Sequence, residues 1–276
     1  MRRTKIIATL GPATDKSGVL EKLITAGVDV FRLNYSHQTH DHHEKRIKEV
    51  RRLSLKHKHA VAVIADLQGP KIRIENFKNG KIQLIEGKKF KINTELSSND
   101  GDESQIGISY KKLANDLKVK DKLLIDDGRI VLSVLSINKN IIDCKVVTGG
   151  ELTNSKGINL QGGGLSAGAV TNKDVEDMKH ATKIEVDFIA ISFPRDAKDI
   201  KKARKMMEKC NCNAQIIAKI ERADALNNID EIIRESDAIM IARGDLGVEV
   251  GDAALPPIQK SLIKKARDMD LSLIHI

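Results

Sequence analysis

Apolar residues in the first seventy positions fall into two patterns. KIIATL (Lys5–Leu10), VDVFRL and AVAVIA are short runs, apolar at nearly every position and of strand length. Between them, SGVLEKLITAG puts Leu20, Leu23 and Ile24 on one helical face, with Gly27 placed just beyond the helix end, where a left-handed residue is favoured. Thr39 is suited to cap a longer helix through Ile47, Val50 and Leu53. Strands without a polar face, alternating with one-sided helices, predict a parallel sheet covered on both sides.

From Lys71 to about Leu165 the pattern changes to alternating strands and tight turns with no helical face. KIQLI, KKFKIN, KLLIDDGRIVLSVL and NIIDCKVV read as strands, and Asn79-Gly80 and Asp127-Gly128 read as hairpin turns. The β/α alternation resumes at Thr171, where T-N-K-D forms a capping box for a helix holding Val175, Met178 and Ala181. DFIAI, QIIAKI and AIMIA follow, each with a helix after it. About six β/α units result, interrupted after the third strand by an inserted all-β domain. Functional-looking side chains close most strands: Arg32 and Asn34, Asp66, Ser192, Lys219 and Glu221, Arg243 and Asp245. A doubly wound sheet would gather them at one crevice behind a G-x-G-x-x-G turn, whereas the first turn here is GPAT. The expected fold is therefore α/β, an incomplete TIM-type (β/α)8 barrel.

Composition narrows the function classes. The 276 residues are 41% hydrophobic and 31% charged, enough for a buried core and unlike a disordered chain. No apolar run approaches the roughly 20 residues of a membrane helix, and the basic N-terminus lacks a signal-peptide core, so a cytoplasmic location is expected. Three cysteines are too few for a disulfide framework, and the Cys210–Cys212 pair lacks a second pair at zinc spacing. The net charge of +9 raises the question of nucleic acid. The lysines lie along solvated helix faces without interleaved aromatics, which argues against that partner.

The chemistry concentrates in a few segments. In KIERADAL, the two-residue strand repeat points Lys219 and Glu221 the same way. A structural ion pair is the plainer reading of these two alone. ARGDLGVEV brings Asp245 to the same rim, and two carboxylates from adjacent strands make a hard oxygen site suited to Mg²⁺. Arg32 in FRLNYSHQ matches a phosphoryl group. Asn34, Ser36 and Asp66 could offer oxygens to a monovalent cation, and Arg73 is expected to lean over the same rim. His40, His42 and His43 fall at a charged helix start, where a solvated face is the expectation.

TKIIATLGPAT, FRLNYSH, ADLQGPKIR, SKGIN with LQGGGLSA, AISFPR, IIAKIER and MIARGDLGVEVG occur in an order and spacing that resemble the pyruvate kinase family, in particular a bacterial branch. The resemblance implies a barrel with a mobile β lid, barrel parts at 1–70 and 169–270, a lid at 71–168, and phosphoryl exchange between phosphoenolpyruvate and ADP to give pyruvate and ATP. It implies that Lys219 neutralises the phosphoryl group and enolate oxygen, and that Glu221 and Asp245 hold Mg²⁺ (or Mn²⁺). Gly244 and Asp245 backbone N–H groups would bind the substrate carboxylate, with Ser192 beside them. Arg32 and Arg73 would clamp phosphoryl oxygens, while Asn34, His37 and Lys173 lie on the nucleotide side. Asn34, Ser36, Asp66 and the Leu67 carbonyl would hold K⁺.

Two departures accompany the resemblance. Lys71 stands where K⁺-using members carry Glu, beside Leu67 and Gln68 in place of Thr and Lys. Its ammonium could replace K⁺, so K⁺ is not expected to be required. After Asp270 the chain reads LSLIHI (271–276), taken as a non-family tail in place of the last two strands and a C-terminal domain. The full-length enzyme would be a homotetramer. The rival readings are an inactive remnant that keeps the Mg²⁺ and substrate contacts, and a Mg²⁺-dependent pyruvate or phosphoenolpyruvate aldolase barrel.

Overall fold

In the computed structural model, which describes residues 4–276, the chain opens with β1 (Ile7–Leu10), α1 (Val19–Thr25), β2 (Val30–Asn34), α2 (His40–His57) and β3 (Ala62–Asp66). Then come β4 (Lys81–Leu84), β5 (Lys89–Asn93), β6 (Gln105–Gly107), α3 (Leu113–Asp116), β7 (Lys122–Ile125), β8 (Ile130–Asn138), β9 (Ile141–Thr148), β10 (Gly150–Thr153) and β11 (Ile158–Leu160). The last stretch holds α4 (Asn172–Lys183), β12 (Phe188–Ile191), α5 (Ala197–Lys209), β13 (Gln215–Ile220), α6 (Ala223–Asn227), α7 (Ile229–Glu235), β14 (Ala238–Ile241), α8 (Arg243–Val250), α9 (Leu255–Asp268) and β15 (Ser272–His275).

The β/α stretches build one parallel sheet of seven strands in the order β1-β2-β3-β12-β13-β14-β15. Its outer face packs Leu33, Val63, Ile189, Ile216, Ile239 and their neighbours against the helices. Alternate residues of the same strands (Ile64, Ala190, Ile217, Ala238 and Met240) form a separate inner cluster. This double burial is why the strands read as unbroken apolar runs. The segment expected to be a non-family tail is instead the seventh strand: Ser272–His275 pairs in parallel with Ala238–Ile241, and Leu273 packs against the outer core. Leu273 packs on the outer core and Ile274 on the inner one, so a seventh strand follows the six expected β/α units.

The middle stretch has its own core, with Phe90, Ile92, Leu123, Leu132 and Val146 fully or almost fully buried. Six strands pair as β11-β7-β8-β9-β5-β6, and β10 pairs with β4. Asp127-Gly128 does turn a hairpin, Ile125 facing Ile130 across residues 126–129, three of which have positive φ. Asn79-Gly80 does not: β4 pairs with the distant β10, so the turn only redirects the chain. The stretch also contains one short helix, α3, which the sequence pattern missed. Leu165 belongs to this second core and Ala169 to the first.

Caps fall where the sequence put them. Thr39 accepts the His42 N–H at the start of α2, and Thr171 with Asp174 forms a full capping box on α4. His43 is not solvated, contrary to expectation. It is buried, its ring stands 4.5 Å from that of Tyr35, and neither ring nitrogen has a hydrogen-bond partner. Burial, then the Arg46 charge, pull its pKa down to about 4. The unfolded chain takes up this proton near pH 6.5 and the folded one only near 4, so the contribution to stability is complete above 6.5 and drains away as pH falls through that window. Urea unfolding between pH 7 and 4.5 is expected to show about 2–3 kcal/mol of pH-dependent loss that His43→Phe lacks.

Candidate active site

The inner cluster of the seven-stranded sheet ends in polar residues for a simple reason. Two residues beyond Val30, Ile64, Ala190 and Ile217, the same face of each strand carries Arg32, Asp66, Ser192 and Lys219. The parallel register, with Asn34 opposite Asp66 and Asp66 opposite Ala190, steps these residues from strand to strand, and the long Arg32 and Lys219 side chains span the steps to Asp66. They meet.

Lys219 is the centre of the group. Its Nζ lies 2.8 Å from Glu221 Oε1 and 3.0 Å from Asp66 Oδ1, and it donates to Ser192 Oγ at 2.8 Å. Ser192 passes its own hydrogen to the Leu67 carbonyl at 2.7 Å. Asp66 Oδ2 accepts Arg32 Nε at 2.7 Å, with Nη2 at 2.6 Å, and Arg32 Nη1 donates to Thr9 Oγ1 at 3.0 Å. Glu221 Oε2 accepts the Phe193 N–H at 2.8 Å. Burial alone would lower the Lys219 pKa, but the Glu221 and Asp66 carboxylates reverse that and hold it above the ordinary lysine value. The ammonium stays charged.

Glu221 is pushed the other way. Burial raises its pKa; Lys219 opposes this, and the Asp245 carboxylate adds to it. Asp66 Oδ1 is buried and has the Lys219 ammonium as its partner. Asp245 sits in the first turn of α8, not at a strand end as expected, with the exposed Gly244 preceding it. Two hard carboxylates, one of them buried and close enough to the other for its charge to be felt, are a donor set that fits a divalent cation. Among the described residues no three histidine, cysteine or acidic side chains group as a metal cage, so such an ion would take its other ligands from substrate or water.

The remaining expected residues divide. Lys173 Nζ reaches the Tyr35 carbonyl at 2.8 Å and Asp177 at 2.6 Å, which brings it to the Asn34–His37 turn, where His37 is exposed. Asn34 Oδ1 accepts the Ser36 N–H at 3.0 Å. With the Leu67 carbonyl taken by Ser192 and Asp66 by two cations, these oxygens already have internal partners. Lys71 does not join them: its ammonium lies 3.0 Å from Asp245 Oδ1. Arg73 does not lean over the Asp66 rim either, because its backbone is bridged to Gly157 and its Nη1 donates to the Ser155 carbonyl at 2.9 Å. The capping box in the sequence located Asp174 but not its second contact, the Gly69 N–H that its buried carboxylate accepts at 3.0 Å. Sequence reasoning missed Glu249, one turn after Asp245 on α8, although that spacing was visible in GDLGVEV.

Residues 1–275 match the pyruvate kinase barrel domain. The chain belongs to the pyruvate kinase family. It is 54% identical to the pyruvate kinase of Buchnera aphidicola subsp. Schizaphis graminum over 98% of its own length and 57% of that protein. The pyruvate kinase II of Salmonella typhimurium is 48% identical over 99% of the chain and 58% of that protein. The pyruvate kinase of Staphylococcus aureus (strain MRSA252) is 38% identical over 99% and 47%. The chain thus spans about half of the length of these relatives, and the family match includes the β15 strand, Ser272–His275. No helix among the described residues is long and apolar enough to cross a membrane.

Gly69 exposes how tightly the rim is built. It has φ +63°, and a Cβ there would stand 2.8 Å from Ser192 Cβ and 3.1 Å from the Ser192 carbonyl oxygen. Gly69→Ala is expected to cost about 1–3 kcal/mol in urea unfolding, from the left-handed backbone and the clash with the residue that seats Lys219.

Proposed function

We propose that the chain carries the phosphoryl-transfer centre of a pyruvate kinase, moving phosphate from phosphoenolpyruvate to ADP and releasing pyruvate and ATP. The observation that carries this reading is the buried Lys219 ammonium, fixed by Glu221, Asp66 and Ser192, with Arg32 on the same Asp66 carboxylate. Phosphoryl transfer asks mainly for positioned positive charge, which this rim supplies. An ADP oxygen attacks phosphorus, the phosphorus–oxygen bond to the enol breaks, and the electron pair passes to the enolate oxygen. Lys219 lies on that oxygen and the transferring group, and the remaining N–H groups of Arg32 orient the phosphoryl oxygens. The N–H groups of Gly244 and Asp245, at the start of an eight-residue helix, suit the substrate carboxylate. The enolate then takes a proton at its methylene carbon.

Glu221 and Asp245 would hold Mg²⁺ or Mn²⁺, which when bound neutralises charge on the substrate oxygens. Lys71, Lys219 and Arg32 already bring positive charge to the rim, so we read K⁺ as dispensable. His37 and Lys173 lie on the nucleotide side, with Asn34. Arg73 is kept as a phosphoryl clamp only through movement of the segment that carries it. We read the seven-stranded sheet as a TIM-type barrel built from 1–70 and from 169 onward, including 271–276, and residues 71–168 as its lid. A cytoplasmic homotetramer is the corresponding whole enzyme.

A coupled pyruvate assay tests the reading. Turnover that depends on Mg²⁺ is expected, and Lys219→Gln should lower kcat/KM by about 10²–10³-fold, with melting followed in parallel. Retained turnover in that variant would reject the role of Lys219. Mn²⁺ binding without any turnover would favour the inactive remnant. Adding K⁺ at constant ionic strength should leave the rate essentially unchanged; a large rise overturns the assignment of Lys71.

A further inference from the structure

Glu249 is a buried carboxylate that phosphoryl transfer does not use, and it forms no ion pair among the described residues. Arg222, whose charge is felt at Glu249, is committed to Asp224 at 2.6 and 3.0 Å and to the Leu165 carbonyl at 2.6 Å. Glu249 Oε2 accepts the Ala223 N–H at 2.9 Å, and Oε1 accepts Asn159 Nδ2 at 3.3 Å. Its own carbonyl accepts the Gly162 N–H at 3.2 Å. Ala223 stands two residues after Glu221, and Glu249 stands one helical turn after Asp245. Asn159 lies in β11, at the edge of the six-stranded sheet. One carboxylate therefore joins the turn that carries Glu221, the helix that carries Asp245, and the strand by which the second sheet returns to the first.

We propose that Glu249 is a positioning residue for the divalent-cation pair. Its bond to the Ala223 N–H fixes the spacing of Glu221 and Asp245, and its bond to Asn159 ties that spacing to the seat of the second sheet. This rests on the reading of Glu221 and Asp245 as cation ligands. Partners outside the ligand shell commonly set metal affinity by about 10–100-fold. Mg²⁺ tolerates misplaced ligands less well than larger cations, so loss of the tie should weaken Mg²⁺ more than Mn²⁺.

The test titrates Mn²⁺ by electron paramagnetic resonance, and Mg²⁺ by competition, on the purified chain and its variants. Glu249→Leu removes both acceptor oxygens and should weaken Mg²⁺ by about 10-fold or more and Mn²⁺ by less. Glu249→Gln keeps a carbonyl oxygen for the Ala223 N–H and can donate to a turned Asn159 amide, so it should keep most of the affinity. Ala223→Pro removes the N–H without touching Glu249. It suits the first position of α6, because Arg222 before it is extended at φ −123° and ψ 145°, and it should weaken binding in the same direction. If Glu249→Leu does not melt cooperatively, Ala223→Pro decides. Unchanged affinities in a folded Glu249→Leu or Ala223→Pro, or equal losses for both ions without recovery in Glu249→Gln, overturn the positioning role. Glu221→Gln is the control: if it leaves Mn²⁺ affinity intact, the cation reading fails and the positioning role with it. A loss in Glu221→Gln beside none in Glu249→Leu overturns the positioning role alone.

Discussion

Lys219, Glu221 and Asp66 are all but removed from water, and each is tolerable there only because the others are present. Withdrawing a single charge from such a group leaves its partner stranded at a cost of about 3–5 kcal/mol. The demand reaches far along the chain, because the contributing strands are distant in sequence: Arg32 on β2, Asp66 on β3, Ser192 just beyond β12, Lys219 on β13. Parallel register has to stagger the strands so that long side chains reach the Asp66 carboxylate from both sides before the charges can compensate one another. The inner apolar layer below them, built from Ile64, Ala190, Ile217, Ala238 and Met240, holds that register.

The second sheet is fastened to the same rim by both of its connections. On the outgoing side, Asp174 holds the Gly69 N–H and Lys71 meets Asp245. On the return, Asn159 and Gly162 meet Glu249, Arg222 holds the Leu165 carbonyl, and Arg195 holds the Ser166 carbonyl at 2.8 Å. These are polar contacts to short segments rather than a shared apolar core. The two hydrophobic clusters stay separate: Leu165 is the last residue of one, and the other, which runs from Leu10 to Leu67, resumes at Ala169.

Much of this was legible in the sequence because it obeys a period. Arg32, Asp66 and Lys219 follow apolar residues at a spacing of two, so their convergence could be read from strand alternation. Thr39, Thr171 and Gly27 obey local capping rules, and they sit where those rules put them. What escaped was set by partners far away in the chain. His43 has a neighbourhood of charged residues, yet the Tyr35 ring and the core take it in. Arg73 is drawn to Ser155 by a bridge that no local pattern announces. The Asn79-Gly80 pair has hairpin chemistry, but the partner of the strand after it lies some seventy residues away. The closing LSLIHI departs from the family's wording, and only its pairing with β14 shows it to be an edge strand.

The Lys71–Asp245 contact couples two events that would otherwise be separate. Lys71 belongs to the outgoing connection of the second sheet, while Asp245 belongs to a helix packed on the first. Any ion seated on that carboxylate contends with the ammonium for the same oxygen. Linkage then works in both directions: filling the seat loosens the tether, and pulling the tether away sharpens the appetite of the seat. A single ion pair at a junction can in this way make the posture of one half of the molecule a term in the affinity of the other.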